Sequence, residues 1–344
     1  MKNPIQKQSK MRDMNASRRD FIKHTARLAF GGLILKAVPS FSANPNPFLV
    51  QRAFYTMGTV VTVSAYGTSA KDLHNAITKA REEFQRIDAL MSVYRPDSHV
   101  SRINRFAGKK DVHVDGSVMD VLISAKQFHK DTQGAFNICV EPMMRLWGFR
   151  DNARTLCRLP ADRDVYRALE AVSIHHLVIS EREKAAGLSN KDAAIDLGGI
   201  AVGYSVDRAA AILKSEGVEN FLINHSGDIM AIGSPPDQNG WTIGIPDPQN
   251  PSEIMKSFSI TNQAVSTSGN YESFVVCNDK NFGHILSPET GYPCDRLLSF
   301  TAVCSTAIEA DAYSTAYFCN GKLPAGIAHV AVTTDSKIVI SDTI

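Results

Sequence analysis

Asp311 and Thr315 have the types and spacing of residues that bind a metal ion. They stand four positions apart in the Ala-rich stretch from Thr306 to Phe318, which predicts that they share one face of a helix. A carboxylate and a hydroxyl form part of a Mg²⁺ site, which carbonyls, water and substrate phosphates can complete. A polar stripe on a surface helix would look similar. However, the apolar neighbours predict burial, and an unpaired buried carboxylate is costly.

A glycine pair lies between an apolar segment and a predicted helix. The sequence Asp196-Leu197-Gly198-Gly199 precedes a helix from about Val202 to Glu216, which ends at Gly217. Paired glycines let the backbone approach a bulky anion, and the helix N-terminus supplies N–H groups and positive potential. The pattern suits the pyrophosphate of a dinucleotide, although a tight turn into a helix explains the pair equally well by itself.

Two further motifs combine small residues with polar ones. The segment 224–228 (Asn-His-Ser-Gly-Asp) follows a β-prone stretch and predicts a hairpin turn. The hydroxyl-rich segment 267–271 and the segment 284–293 are predicted to be loops because of their Gly and Pro content. His284 is a candidate for proton transfer or phosphate binding near neutral pH. A lone His is more often a structural polar residue.

Aromatic and backbone surface suited to a flat ring cofactor comes from four short segments. They are Met57-Gly58-Thr59, Tyr94, Gly134-Ala135-Phe136-Asn137 and Trp147-Gly148-Phe149. Taken singly, each segment is explained as readily by packing in a hydrophobic core.

The elements that must position these residues are helices and short strands. Partial alternation predicts a strand over 55–66, and Ser69 with Asp72 resembles a capping box before an amphipathic helix that reaches Met91. A further helix is predicted at about 117–130. Short β-prone stretches occupy 175–179, 220–224, 229–232, 241–245, 258–261, 273–277, 300–304 and 329–333. Because the strands cluster, we predict an α+β fold with mainly antiparallel sheets and packed helices.

Residues 1–43 have the features of an export signal. The arginine pair Arg18-Arg19 is of the twin-arginine type, and a short apolar run and small residues with cleavage sites follow it. An ordinary basic amphipathic helix is the alternative. The apolar run is shorter than the roughly 20 residues that a membrane helix needs. We therefore expect one mature domain over 44–344, located in the periplasm, without a transmembrane span.

Composition argues against nucleic acid as a partner. Without residues 1–43 the chain has 28 Lys and Arg against 33 Asp and Glu, and it contains no basic run with interleaved aromatics. The six cysteines form no CxxC pair and no zinc-like cluster with His. The sequence does not fix their pairing, but apolar neighbours predict buried free thiols for Cys304 and Cys319.

The order and spacing of these motifs together resemble the FAD:protein FMN transferase (ApbE) family. The resemblance covers roughly 54–335, and an ordered set of this length is far more specific than any one motif. The matching segments are Met57-Gly58-Thr59, Ser92-x-Tyr94 with Asn104, Gly134-Ala135-Phe136, Asp196-Leu197-Gly198-Gly199-Ile200-Ala201, Asn224-x-x-Gly227-Asp228, Thr267-Ser268-Gly269-x-Tyr271, His284-x-x-x-Pro288-x-x-Gly291 and Ala310-Asp311-Ala312-x-x-Thr315.

The resemblance implies the family's α+β fold, with FAD in a cleft between two halves. The residues it implies for the FAD site are Met57, Tyr94, Gly134, Ala135, Phe136, Asp196, Val202 and Ile285. It also implies Mg²⁺ ligation by the side chains of Asp311 and Thr315 and by the carbonyl of Gly199. Asp311 and His284 are the candidate catalytic residues, and which of them accepts the proton stays open.

The implied activity is Mg²⁺-dependent transfer of FMN from FAD to a Thr or Ser hydroxyl of an acceptor protein, with release of AMP. The expected acceptor is a flavoprotein subunit of a membrane electron-transfer complex. Three departures from the family pattern are Val202 in place of a frequent Lys, Ser226 in place of a Gly, and Asn137-Ile138-Cys139 in place of Asp-Pro-Thr. Val202 and Asn137-Ile138-Cys139 motivate one alternative, an FAD-binding or flavin-delivery protein without transfer activity. A second alternative is a hydrolase that uses the same site to split FAD into FMN and AMP with water as acceptor.

Overall fold

The structure is a computed structural model and describes residues 47–342 except 151–155, 157 and 272. The predicted export signal, 1–43, lies outside these residues. Within them, no helix is both long and apolar enough to cross a membrane.

An eight-stranded antiparallel sheet forms the centre of the fold. Its strand order is β1-β2-β6-β7-β10-β13-β14-β15, and three smaller sheets accompany it, with strand orders β3-β5-β4, β8-β9 and β11-β12. The strands are β1 Phe48–Thr56, β2 Thr59–Gly67, β3 Val112–His113, β4 Leu177–Ser180, β5 Ala185–Leu188, β6 Asn220–His225, β7 Asp228–Ile232, β8 Trp241–Pro246, β9 Ile254–Ile260, β10 Gln263–Gly269, β11 Phe274–Cys277, β12 Lys280–Gly283, β13 Leu297–Cys304, β14 Ala328–Thr333 and β15 Ile338–Ile340.

The helices cover one face of the large sheet and build a second core beside it. They are α1 Ala70–Met91, α2 His99–Arg105, α3 Gly116–Asp131, α4 Glu141–Leu146, α5 Asp162–Leu169, α6 Ala201–Ser215 and α7 Ala307–Asn320, with short 3₁₀ helices at Ile138–Val140 and Ile174–His176. One core joins α1, α6 and the start of α7 to the sheet. The other joins α2, α3, the small β3-β5-β4 sheet and the middle of α7. Helix α7 therefore belongs to both cores.

The predicted α+β class with mainly antiparallel sheets is confirmed, and so are the four predicted helices. Helix α1 begins where Ser69 accepts a hydrogen bond from the Asp72 backbone N–H. Helix α7 has a full capping box made by Thr306 and Glu309, and Gly321 ends it in the left-handed conformation, which glycine adopts without strain.

Two sequence predictions were wrong. The predicted strand 55–66 is a hairpin, because Met57 and Gly58 adopt positive φ angles of 48° and 81° and reverse the chain between β1 and β2. Residues 267–269 belong to β10 and not to a loop. Their hydroxyls are satisfied inside the fold: Thr267 bonds to Thr301 at 2.8 Å and Ser268 bonds to Ser314 at 3.0 Å.

Candidate functional site

A cavity of about 660 Å³ opens where the large sheet meets the second core. This volume lies within the range of small-molecule sites. Eleven of the twelve residues predicted to act in binding, metal ligation or catalysis line it: Met57, Tyr94, Ala135, Phe136, Asp196, Gly199, Val202, His284, Ile285, Asp311 and Thr315. A depression of about 840 Å³ lies elsewhere, around Gly67, Gly217 and Pro235, and none of the predicted residues lines it. We therefore assign the site to the smaller cavity, which we call the cleft.

Gly134 does not line the cleft. It has a φ of 89° in the turn after α3, and a side chain at this position would meet His129. Its role is to turn the chain: Phe136 follows two residues later, is 3% exposed and borders the cleft. The motif Gly134-Ala135-Phe136 thus combines one conformational residue with two residues that line the cavity.

Two hairpin tips lie side by side at one wall of the cleft. Met57 and Gly58 form the tip between β1 and β2, and Ser226 and Gly227 form the tip between β6 and β7. All four residues have positive φ, as two-residue hairpin turns of the type I′ class require. The tips meet because β2 pairs with β6, and a short hydrogen bond joins the hydroxyls of Thr59 and Ser226. The predicted hairpin at 224–228 is confirmed, and its tip borders the cleft.

Another part of the cleft is a close contact between α7 and the glycine pair that leads into α6. We call the residues Gly199, Gly203, Asp311 and Thr315 the helix corner. The Gly203 backbone N–H donates a 3.0 Å hydrogen bond to Asp311 Oδ2. A Cβ at Gly203 would stand 2.3 Å from the Ala307 carbonyl oxygen, and one at Gly199 would stand 3.1 Å from Thr315 Oγ1. At Gly203 only glycine permits this approach, which brings residues more than 100 positions apart into one site.

Buried hydroxyls form the floor beside the helix corner. Ser314 Oγ is completely buried and lies 3.1 Å from Ser266 Oγ and 3.0 Å from Ser268 Oγ. Ser268 Oγ lies a further 3.5 Å from Thr315 Oγ1. Because Ser314 on α7 is hydrogen-bonded to two hydroxyls of β10, it fixes α7 to the sheet.

The helix corner fits Mg²⁺ by the chemistry of its donors. Asp311 offers a carboxylate, Thr315 a hydroxyl and Gly199 a backbone carbonyl, which are all hard oxygen ligands. Asp311 is 6% exposed, and burial of a carboxylate is costly unless hydrogen bonds and a cation compensate it. Within the described part of the chain no three His, Cys, Asp or Glu side chains form a metal-binding group. A site with few protein ligands is typical of Mg²⁺, which keeps waters and binds substrate phosphates.

An ionic cluster lies on the other side of the glycine pair. We call the residues Tyr94, Glu141, Arg150 and Asp196 the ionic rim. Arg150 donates to Glu141 Oε2 at 2.5 Å and to the Tyr94 hydroxyl at 2.8 Å, and it forms an ion pair with Asp196. Its guanidinium carbon lies 5.2 Å from the centre of the Tyr94 ring. Asp196 Oδ1 in turn accepts the Gly198 backbone N–H at 2.5 Å, so the rim fixes the start of the glycine pair.

Arg150 is a cleft residue that sequence reasoning missed. It follows the aromatic segment 147–149, and no spacing rule connects it with Glu141 or Asp196. Half-buried Val202 lines the cleft without a charge, whereas Arg150 brings a guanidinium to the same cavity.

Asn137 is buried, and its side chain caps the 3₁₀ helix by accepting the Cys139 N–H at 2.9 Å. These contacts give Asn137 a structural role, and the residue also lines the cleft.

His284 and Ile285 reach the cleft from the loop between β12 and β13. The Ser273 carbonyl lies 3.1 Å from His284 Nδ1 and can only accept a hydrogen bond, so Nδ1 donates. In this tautomer Nε2 carries the lone pair of the neutral ring, which suits a proton acceptor. The loop itself is held by a bridge between Leu286 and Pro293.

His225 and Asp228 add two titratable groups that the sequence motif contained but did not single out. His225 is completely buried, and burial lowers its pKa to about 3, so its imidazole stays neutral. It packs edge-on against Phe84, with ring centres 5.3 Å apart. Desolvation raises the pKa of Asp228 to about 7, the Asp207 charge adds to this, and a hydrogen bond with Ser266 opposes it. His284 is therefore the cleft histidine better suited to accept a proton.

Comparison with known proteins gives consistent matches over the whole described domain. Residues 57–336 match the ApbE family. The FAD:protein FMN transferase of Salmonella typhimurium is 28% identical over 264 residues, which is 76% of this chain and 75% of that protein. The corresponding Vibrio cholerae protein is 30% identical over 197 residues, 56% of this chain and 57% of its own length.

Solved structures agree with the sequence comparison. The ApbE protein of Thermotoga maritima superposes with a TM-score of 0.80 at 29% identity, covering 86% of this chain and 98% of that chain. The flavinyl transferase ApbE of Pseudomonas stutzeri superposes with a TM-score of 0.76 at 25% identity, covering 88% and 97%. Because the family match spans most of the chain and the fold agrees throughout, the chain belongs to the ApbE family.

Proposed function

We propose that this protein transfers FMN from FAD to a Thr or Ser hydroxyl of an acceptor protein and releases AMP, in a Mg²⁺-dependent reaction. The observation that carries the proposal is the helix corner, where hard oxygen donors face a cleft wide enough for a dinucleotide. Membership of the ApbE family and the FAD:protein FMN transferases among its relatives support the same activity.

The chain's own residues bind and orient the substrate. Met57, Phe136 and Ile285 supply apolar surface for the flavin or adenine ring, and the backbone at Gly198 and Gly199 approaches the pyrophosphate. Asp311, Thr315 and the Gly199 carbonyl would hold Mg²⁺, which when bound supplies positive charge beside the pyrophosphate oxygens. The ionic rim keeps the entry to the glycine pair in place.

The reaction exchanges a phosphoanhydride bond for a phosphoester bond. The acceptor hydroxyl oxygen attacks the phosphorus on the FMN side of the pyrophosphate, and the bridging P–O bond breaks. AMP leaves with the bridging oxygen, and FMN stays on the acceptor as a phosphoester. The hydroxyl proton passes to a base in the cleft. His284 Nε2 is one candidate and the Asp311 carboxylate the other; Asp311 is well positioned, but ligation to a metal makes a carboxylate a poorer base.

Export by a twin-arginine signal would place the mature protein in the periplasm. The acceptor would then be a flavoprotein subunit of a membrane electron-transfer complex that is exposed outside the cytoplasm. Changing Arg18 and Arg19 together to Lys is expected to retain the full-length chain in the cytoplasmic fraction. Unchanged recovery of the processed protein from the periplasm would contradict this route.

Mass spectrometry of an acceptor tests the transfer directly. A purified flavoprotein domain incubated with the mature protein, FAD and Mg²⁺ is expected to gain the mass of one FMN, and AMP is expected to appear in equal amount. Asp311→Ala is expected to lower the rate about 1,000-fold, because a metal contributes several kcal/mol of charge stabilisation. Asp72→Ala, an exposed acidic residue on α1, serves as the matched control and is expected to keep the full rate.

Two outcomes would contradict the proposal. FAD cleavage without a mass gain on any acceptor would indicate the hydrolase. Tight FAD binding with neither cleavage nor labelling would indicate the flavin-binding or delivery protein that Val202 and Asn137 suggest.

A further inference from the structure

Two cysteines meet beside the cleft. Cys294 Sγ donates a hydrogen bond to Cys319 Sγ across 2.9 Å, and the side chains are 4% and 7% exposed. A disulfide needs a sulfur–sulfur distance of about 2.05 Å, so the two atoms have less than about 1 Å to close. No other cysteine pair among the described residues is recorded in contact. Cys304, which was predicted to be buried, is half-buried on β13.

Both cysteines are held in place by elements of the cleft. The Cys294 backbone N–H donates to the Ile285 carbonyl at 2.9 Å, and its own carbonyl accepts Asn270 Nδ2 at 2.6 Å. Cys319 lies four residues after Thr315 on α7 and lines the cleft itself. Cys319 is therefore the one of the two thiols that borders the cleft of the candidate active site.

The surroundings give the two thiols different roles. The hydrogen bond from Cys294, together with Ser287 and the charge of Arg296, lowers the pKa of the Cys319 thiol despite its burial. The same hydrogen bond, with burial, raises the pKa of Cys294. Cys319 is thus the better nucleophile toward a disulfide, while Cys294 keeps its proton until the second step.

We propose that Cys294 and Cys319 are a redox-active pair that forms a disulfide by exchange with a disulfide oxidant. The Cys319 thiolate attacks one sulfur of the oxidant RSSR, forming a mixed disulfide and releasing RS⁻. Cys294 then loses its proton, attacks the Cys319 sulfur and releases the second RS⁻. Two protein thiols are oxidised to one disulfide, and one oxidant disulfide is reduced to two thiols. The new bond ties the loop that carries His284 and Ile285 to the helix that carries Asp311 and Thr315.

The cross-link has a measurable effect on stability that is independent of FMN transfer. It closes a chain segment of about 25 residues, and loops of this length are expected to stabilise a domain of this size by about 5 °C in Tm. Oxidation of the mature protein with oxidised glutathione should raise Tm by this amount, and dithiothreitol should reverse the shift.

Peptide mapping under non-reducing conditions tests the pairing. After oxidation with glutathione disulfide, the intact protein and the control Cys304→Ser are expected to yield one cross-linked peptide that joins Cys294 to Cys319. Cys294→Ser is expected to trap a single glutathione adduct on Cys319, because the second step has lost its thiol. Cys319→Ser is expected to yield neither the cross-link nor an adduct at Cys294.

Three results would overturn the proposal. The first is alkylation of both thiols in the unfolded, oxidised intact protein. The second is a cross-link that joins either residue to another cysteine. The third is a glutathione adduct on Cys294 and not on Cys319 in the two serine variants, which would reverse the assigned roles.

Discussion

The two sides of the glycine pair are built in different ways. The helix corner depends on the absence of side chains: Gly203 brings its backbone within hydrogen-bond distance of Asp311, and an added methyl group would collide with α7. The ionic rim depends on the presence of charges: Arg150 links Glu141, Asp196 and Tyr94 around one guanidinium. The first region holds its geometry by packing, which has little freedom to adjust. The second region holds its geometry by the attraction between charges, which salt and substitution can weaken.

Gly203→Ala is expected to give the largest change, because it acts on the packed region. The new Cβ would stand 2.3 Å from the Ala307 carbonyl oxygen and 2.8 Å from Asp311 Cβ. Overpacking of this kind typically costs about 3 kcal/mol of unfolding free energy. Urea unfolding measures this loss, and the FMN transfer rate should fall with it since Asp311 is displaced.

Gly116→Ala is the matched control for that variant. Gly116 is the first residue of α3, and nothing lies within 4 Å of a Cβ built there. The free energy of unfolding of this variant is expected to equal that of the unaltered protein or to exceed it slightly, because Ala favours the helix more than Gly does. Equal losses of unfolding free energy in the Gly116→Ala and Gly203→Ala variants would show that close packing does not distinguish the helix corner.

The pH dependence of the metal-free protein is expected to come from Asp228, the first residue of β7 beside the hairpin tip of Ser226 and Gly227. Desolvation holds the pKa of Asp228 at about 7, above its ordinary value of 3.8, so the protonated carboxyl favours the folded state. This stabilisation of the folded state is fully present below about pH 4, and it is lost as the pH rises through about 7. The expected loss of unfolding free energy between pH 5 and 7.5 is on the order of 2 kcal/mol.

Asp228→Asn tests the assignment of that pH dependence. The variant cannot ionise at this position, so its unfolding free energy should change less between pH 5 and 7.5 than that of the unaltered protein. Urea unfolding at the two pH values measures the difference. Parallel curves for the two proteins would assign the pH dependence to other groups.

Arg150→Met tests the ionic rim, and it is expected to lower the free energy of unfolding by about 2 kcal/mol. The change leaves Glu141, whose side chain is 3% exposed, with Arg145 as its remaining recorded ion pair, and it deprives Asp196 of its partner. Removal of one partner from a buried pair is destabilising because the other charge stays desolvated.

Tyr94→Phe is the control for this variant. It keeps the ring and removes one hydroxyl, so the free energy of unfolding is expected to fall by less than about 0.5 kcal/mol. Similar losses for both variants in urea unfolding would contradict a charge-based rim.

Much of the fold and of the candidate site could be predicted from the sequence. Periodicity located α1, and the Ala-rich composition of 306–318 located α7; both helices carry their own capping residues. Eleven of the twelve predicted site residues line one cleft. The strand boundaries were harder to predict, because Met57-Gly58 interrupts an otherwise continuous β-prone segment and β10 consists largely of small and hydroxyl residues.

What the sequence determined by itself is local: the helices with their caps, the positions of Gly, Asp and Thr along the chain, and the ordered motifs of the ApbE family. What only the tertiary structure decided is which distant residues share a contact. Arg150 meets Glu141 and Asp196, and Cys294 meets Cys319, only because separate elements pack around one cleft. The physical reason is that ion pairs and sulfur contacts depend on separations of a few ångströms in space, and spacing along the chain does not encode them.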